Sequence, residues 1–157
     1  TFQMAVEDYR RQGYSDKWIE NRLKSIRTRN ELTNEWKRSG VTEQKDFAIL
    51  TNILTQAWSG MTTGQYKQFK RLTKENLRDN MTTLELALNT LAEAATTEIS
   101  RSRNPKTMVE NQQVAKSGGQ AAKAARLEVE KQIGHSVISP SKATDYLPTS
   151  EIQEIEE

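Results

Sequence analysis

The sequence contains no cysteine and only one histidine among its 157 residues. Without thiols there is no disulfide framework, no thiolate metal site and no cysteine nucleophile. Because His135 is the only histidine, a metal centre would have to be built almost entirely from carboxylates, and the sequence has no calcium-loop pattern. It has no nucleophile-elbow pattern either. We therefore expect a non-enzymatic protein that uses no metal, no cofactor and no small-molecule substrate.

Long apolar runs are also absent. No stretch approaches the roughly 18 to 20 apolar residues that a membrane span needs, and the N-terminus has no charged-then-apolar leader. The lack of cysteine suits a reducing compartment. These features predict a cytoplasmic protein without a membrane partner. Because the chain begins at Thr1 rather than Met, we also expect it to be part of a longer protein.

Strongly apolar residues are few. Leu, Ile, Val and Phe total 30 of 157 residues, just under the level of about one fifth at which disorder becomes a competitor. The formal net charge is only +2, and the apolar residues concentrate in 47–58 and 84–99. The sequence therefore predicts a small ordered core with loosely held ends.

Helical spacing is the clearest pattern that is present. Thr82 followed by Glu85 forms a capping box that starts a helix. Its apolar face recurs at helical spacing, at Leu84, Leu88, Leu91, Ala95 and Ile99. Caps and spacing predict a brief helix at 2–11 and further helices at 16–38, 43–58, 65–79, 83–101 and 107–133, the last bent at Gly118-Gly119.

These patterns predict an all-α fold, an irregular bundle of about five or six helices. The helical domain is expected to span residues 1–134, followed by an extended or disordered acidic tail at 135–157. The predicted core includes Phe47, Leu50, Leu54, Leu84, Leu88 and Leu91. Trp36 and Trp58 have two interpretations, as platforms for base stacking or as core residues, and helical spacing favours the core.

One predicted helix carries cations at spacings of three and four, which would place them on a single side. This basic stripe consists of Lys67, Lys70, Arg71, Lys74 and Arg78. Cations pointing the same way are typical of helices that bind a phosphate backbone. Binding to an acidic protein and plain solvation are the alternatives. Three further cations next to Pro105 extend the candidate nucleic-acid site: Arg101, Arg103 and Lys106.

Another candidate surface lies on the predicted helix 16–38. Ile19, Leu23 and Ile26 form an apolar stripe that either packs within the chain or pairs with a second copy. We expect an oligomer interface there, because a domain with a small core often buries additional apolar area against a partner.

The C-terminal end differs from the rest in charge. Residues 145–157 contain five carboxylates and no Lys or Arg, so residues 1–144 carry a net charge of +7. The acidic tail has two interpretations: a disordered solubilising end, or a segment that folds back on the basic stripe and competes with a polyanion.

Several blocks follow one another in a recognisable order: RLKSIRTRNELTNEW, GVTEQKDFAILTN, KENLRDNMT and LELALNTLAEAATTEIS. This order resembles the C-terminal region of prophage Bro-N antirepressor-like proteins, which are related to DNA damage-inducible protein D. The segment DYLPTSEIQEIE is similar to the end of the damage-inducible proteins. The resemblance runs from about Tyr14 to the end of the chain and rests on the order of blocks.

The resemblance implies a phage or host stress-response regulator, of which this chain is the helical C-terminal domain. The Bro-N domain itself is not part of the sequence, so its DNA binding does not transfer. Two functions remain open. The first is contact with the DNA backbone through the basic stripe, and the second is an interaction module that binds another copy or a repressor protein.

Overall fold

A computed structural model describes residues 1–146, which contain seven α-helices and no strand. The helices are α1 (Phe2–Gln12), α2 (Asp16–Arg38), α3 (Gln44–Ser59), α4 (Thr63–Phe69), α5 (Thr83–Arg103), α6 (Met108–Ile133) and α7 (Ala143–Tyr146). A short 3-10 turn at Arg78–Asn80 precedes α5. The predicted all-α class is confirmed, with more helices than the expected five or six.

Local capping explains where the long helices begin and end. Ser15 caps α2 and Thr107 caps α6, each through a side-chain oxygen that accepts a backbone N–H. Thr82 and Glu85 form the predicted capping box at the start of α5. Gly134 ends α6 in the left-handed conformation, with φ at 80°. Sequence spacing therefore predicted the bounds of these helices to within about two residues.

The helix α5 is the centre of the bundle, with α2, α3 and α6 packed against it. Trp18 at the start of α2 donates to the Met81 carbonyl, and Ser100 near the end of α5 donates to Glu35, so α2 and α5 run in the same direction. Trp58 at the end of α3 donates to Asn89, so α3 runs the opposite way. The C-terminal ends of α2 and α5 therefore lie at one end of the bundle.

The core is built around large side chains from α2, α3 and α4. Trp36, Leu50 and Trp58 are fully buried, and Leu54 is 1% exposed. Burial of both tryptophans confirms the core interpretation and leaves neither ring available for base stacking. None of the helices in residues 1–146 combines the length and the apolar character that a membrane span requires.

Two features of the predicted helices are wrong. The expected helix at 65–79 ends at Phe69, and residues 70–77 form turns and bends instead. The expected bend at Gly118-Gly119 is absent, because α6 is continuous from Met108 to Ile133. Both glycines are buried, and a Cβ on Gly118 would lie 1.9 Å from the Thr96 hydroxyl of α5. The glycines therefore allow close helix packing rather than a bend.

The predicted apolar face of α5 is partly wrong. Leu88 is buried, but Leu84 is 38% and Leu91 is 41% exposed. The buried face of this helix is largely polar and includes Glu85, Asn89, Glu93, Thr96, Thr97 and Ser100. Apolar spacing selected the leucines. The polar face is buried because Glu85, Asn89 and Ser100 have partners from other elements, while the two threonine hydroxyls donate to carbonyls of α5 itself.

The segment after α6 packs on the bundle rather than extending away from it. Val137 is 5% and Ala143 is 8% exposed, and the Ala143 N–H donates to Asn80 at 2.8 Å. The start of the expected weakly ordered tail is therefore attached to the domain. The rest of the acidic tail, residues 147–157, lies outside the described residues.

Candidate functional site

The basic stripe does not form a single surface. After α4 ends at Phe69, Arg71 adopts a left-handed conformation with φ at 63°, so the chain turns away from the helix axis. The five cations of the stripe therefore point in different directions. The prediction that these cations form one aligned row for a phosphate backbone is therefore wrong.

Lys70 lies in the interior of the protein. Its side chain is 0% exposed, and Nζ lies 2.7 Å from Glu85 Oε1 and donates to the Ser141 carbonyl at 2.6 Å. The Tyr66 hydroxyl donates to the other oxygen of Glu85. Burial lowers the pKa of Lys70, and burial together with the Glu85 carboxylate raises the pKa of Tyr66 far above its usual range. Lys70 is therefore a buried partner of Glu85 and is not available to a ligand at the surface.

Two other stripe cations are engaged by carboxylates. Arg71 Nη2 lies 2.7 Å from Asp145 Oδ2, so the start of the acidic segment does reach the stripe. Arg78 is 23% exposed and its Nη1 lies 3.8 Å from Glu93 Oε1. Of the stripe, Lys74 is exposed and Lys67 is half-buried. The five cations of the stripe therefore do not form one binding surface on a single helix.

A different group of cations lies at the end of the bundle where α2 and α5 finish. This basic end consists of Lys37, Arg38, Arg101, Arg103 and Lys106, all of them exposed. Arg38 Nη1 donates to Asn104 at 3.3 Å, which ties the end of α2 to the end of α5. Arg103 Nη1 donates to Ser117 of α6 at 3.3 Å.

Two cations of the basic end form ion pairs with carboxylates. Arg38 binds Glu35, and its hydrogen bonds lower the pKa of that carboxyl, with a smaller contribution from Ser100. Arg101 Nη1 lies 2.7 Å from Glu98 Oε1. Cations in the last turn of a helix also stabilise the helix dipole. The basic end nevertheless leaves Lys37, Arg103 and Lys106 without an ion pair among residues 1–146.

A polar pocket with a volume of about 160 Å³ lies between α3, α4 and α5. We call it the Glu93 pocket; its lining includes Lys67, Leu77, Arg78, Met81, Asn89 and Glu93. Asn89 accepts from Trp58 at 3.1 Å and donates to Glu93 Oε1 at 3.0 Å. The second oxygen, Oε2, is buried and has no hydrogen-bond partner among residues 1–146. The Arg29 guanidinium, whose Nη1 is likewise buried without a hydrogen-bond partner in that part of the chain, interacts electrostatically with Glu93.

The proposed oligomer stripe is only partly accessible. Ile19 is 3% exposed and belongs to the core, so its place in an interface with a second copy is wrong. Leu23 is partly buried and packs against the same core, and Ile26 is half-buried. Ile19 and Leu23 therefore pack within the chain, as the first of the two interpretations has it.

Sequence reasoning missed the buried polar face of α5 and the Glu93 pocket. Glu85, Asn89 and Glu93 recur every four residues on a helix, and this spacing is the signal that was available. Charged residues at such spacing are usually solvated, and nothing in the sequence showed that Lys70 and Arg78 would return to meet them.

Metal binding has no geometric support within the described part of the chain. No three side chains among His, Asp and Glu lie close enough together there to hold a metal ion. His135 is exposed, and its ring lies 3.1 Å from the neighbouring Ser136 carbonyl. The expectation of a non-enzymatic protein stays a prediction.

Fold and surface together define an all-helical domain with an apolar core, a buried polar face on its central helix and a group of cations at one end. The family model described as the DinD C-terminal domain matches residues 13–146. The chain therefore belongs to this family, which confirms the relation to DNA damage-inducible protein D. The finer resemblance to Bro-N antirepressor-like proteins stays a prediction. No curated protein and no solved structure matches the chain significantly.

Proposed function

We propose that this domain acts in the DNA damage response as a non-enzymatic, cytoplasmic binding module that contacts the DNA backbone. The surface that serves this function is the basic end, which replaces the basic stripe predicted from sequence. The parent protein is proposed to be a phage- or host-encoded regulator of the antirepressor type. Family membership supports the link to DNA damage, and the charge layout supports the contact with DNA.

The observation that carries the proposal is the presence of five exposed cations at the C-terminal ends of two neighbouring helices and on the connector that follows the second. Phosphate groups bind Arg and Lys side chains irrespective of base sequence, and each contact releases condensed counterions. The basic end offers such side chains on neighbouring elements, held in place by Asn104 and Ser117. We therefore expect binding to duplex DNA with little sequence preference.

A variant with three cations removed tests this proposal. Arg101→Ala, Arg103→Ala and Lys106→Ala in one chain should weaken binding to a fluorescent DNA duplex by at least about tenfold, as measured by fluorescence anisotropy. The expected loss follows from the removal of up to three phosphate contacts. All three side chains are exposed, so circular dichroism should show unchanged helix content.

The matched control removes the same amount of charge elsewhere. Lys17, Lys123 and Lys131 are exposed, and a chain with all three changed to Ala should keep the affinity of the wild type to within about threefold. Equal losses of affinity in the two triple variants would mean that DNA binding depends only on the net charge of the protein. The basic end would then not be the binding site.

A second candidate function is the interaction module. It is favoured by the outer face of α5, where Leu84 and Leu91 are each about two fifths exposed. These two leucines lie seven residues apart on one side of α5, and a contiguous apolar patch around them would mark a protein-binding surface. If neither the wild type nor the variants bind DNA, this function becomes the leading proposal.

A further inference from the structure

The Glu93 pocket carries an excess of positive charge that the proposed contact with the DNA backbone does not use. It lies beside the middle of α5, whereas the basic end lies at the C-terminal end of that helix. Lys67 and Arg78 are cations of its lining, and Glu93 is a carboxylate of the same lining. Behind the lining, Arg29 Nη2 donates to the Thr51 hydroxyl at 2.6 Å. Three cations therefore lie in or against this pocket.

The charge of Glu93 is already shared between two arginines. Its Oε1 accepts from Asn89 at 3.0 Å and lies 3.8 Å from Arg78 Nη1. Burial lowers the pKa of Arg29, the Glu93 carboxylate opposes that shift, and the charge of Arg78 adds to it. No second carboxylate lies among the described residues of the lining, so nothing there balances Lys67. Three cations against one carboxylate leave an excess of two positive charges.

Lys67 is the cation of the pocket that is most available to a ligand. It is half-buried, and its ammonium group makes no ion pair among residues 1–146. Partial burial of a lysine charge without a counterion costs free energy. Arg78 is 23% exposed, and its 3.8 Å contact with Glu93 is longer than a hydrogen bond. Both side chains therefore retain N–H groups that can donate to an anion.

Neutral donors on the lining extend this set of cations. Thr55, Thr63 and Asn76 contribute two hydroxyl groups and an amide, which are common donors to phosphate oxygens. The pocket has a volume of about 160 Å³ and is partly open to solvent, and a single water needs only about 10 to 15 Å³ of such space. A tetrahedral oxyanion therefore has room, and the molecule that carries it can extend into the solvent.

We propose that the Glu93 pocket binds a phosphate monoester, whose oxygens accept from Lys67, Arg78 and the hydroxyl groups of the lining. A monoester carries a charge of about −1.5 to −2 near pH 7, which balances the excess of positive charge. A phosphodiester of the DNA backbone carries a single charge and balances only part of it. The monoester is either a small phosphate compound or the 5′-terminal phosphate of a DNA strand, since both present the same group. This site does not depend on DNA binding by the basic end.

Calorimetric titration with inorganic phosphate tests the proposal on the wild-type chain. Inorganic phosphate should bind at least about tenfold more tightly than dimethyl phosphate, a diester with one negative charge, because the attraction grows with the charge of the ligand. Sodium chloride keeps the ionic strength equal in both titrations, so that screening is the same. Equal affinity for the two compounds, or no binding of phosphate at millimolar concentration, would overturn the proposal and leave a pocket that holds only water.

Substitutions on the lining test which side chains hold the phosphate. Lys67→Gln should weaken phosphate binding at least about tenfold, because a charge-assisted donor is lost. Its melting temperature should match that of the wild type, since Lys67 has no ion pair to lose. Arg78→Gln should weaken phosphate binding as well. Lys74 is exposed and lies outside the lining, so Lys74→Gln should bind phosphate like the wild type. Unchanged affinity in either lining variant, or an equal loss in Lys74→Gln, would contradict the assignment.

The two sources of the phosphate are distinguished with a short single-stranded oligonucleotide that carries a 5′-phosphate. The titration uses the triple variant of the basic end, and the same strand with a 5′-hydroxyl corrects for remaining contacts with the backbone. Tighter binding than that of inorganic phosphate identifies a DNA end as the source, and weaker binding identifies a small phosphate compound. The triple variant should keep wild-type affinity for inorganic phosphate, so failure of the proposed backbone contact and failure of this pocket give different results.

Discussion

At the scale of single residues, Lys70 shows how far a side chain can depart from the role its spacing suggests. On a helix it would stand among four other cations, yet it is fully buried against Glu85 and Tyr66. A buried ion pair contributes little net stability, because desolvation opposes the attraction. Removal of one partner is costly, since the other charge is left unpaired in the interior.

The buried pair gives the first stability prediction. Lys70→Met should lower the free energy of unfolding by about 3 to 5 kcal/mol, because Glu85 would remain charged and lose its cation. Adding Glu85→Gln should restore part of this loss, since glutamine is neutral and still accepts the Thr82 N–H in the capping box. Chemical denaturation followed by circular dichroism measures both effects.

Lys74 provides the matched control for this pair. It is an exposed lysine four residues further along the chain, and Lys74→Met should change the unfolding free energy by no more than about 0.5 kcal/mol. A Lys70→Met variant as stable as Lys74→Met would show that the buried pair does not hold the fold.

At the scale of elements, the start and type of each long helix could be read from the sequence, and so could the buried face of α3, but the buried face of α5 could not. Ser15, Thr82 and Thr107 cap their helices locally, so no distant information was needed. The buried face of α5 depends on residues far along the chain, such as Lys70 for Glu85 and Trp58 for Asn89. Periodicity cannot anticipate such partners, and the Glu93 pocket was missed for the same reason.

The contact between α5 and α6 gives a prediction at this scale. Gly118→Ala should lower the free energy of unfolding by about 1 to 3 kcal/mol, because the new Cβ would lie 1.9 Å from the Thr96 hydroxyl and 2.8 Å from its Cα. This loss should appear although alanine favours helix formation by about 1 kcal/mol over glycine. Thermal unfolding followed by circular dichroism measures it.

Gly64 supplies the comparison within α4. A Cβ at Gly64 would meet nothing within 4 Å, so Gly64→Ala should keep or raise the melting temperature. If Gly118→Ala were as stable as Gly64→Ala, the close approach of α5 and α6 would be wrong, and the predicted bend in α6 would regain support.

At the scale of the whole molecule, the distribution of charge was predictable only in part. The excess of positive charge in residues 1–144 follows from counting, and Arg101, Arg103 and Lys106 were recognised as a cluster. That Lys37 and Arg38 join them depends on α2 and α5 running side by side in the same direction. The sequence contains no local signal for that arrangement.

The dependence of DNA affinity on salt tests the central claim most directly. Four to five phosphate contacts at the basic end predict a slope of about −4 for the logarithm of affinity against the logarithm of salt concentration. The variant lacking Arg101, Arg103 and Lys106 should flatten this slope to about −2, whereas the control variant of Lys17, Lys123 and Lys131 should retain it. A slope that is the same in the wild type and both variants, or no binding at low salt, would contradict the account.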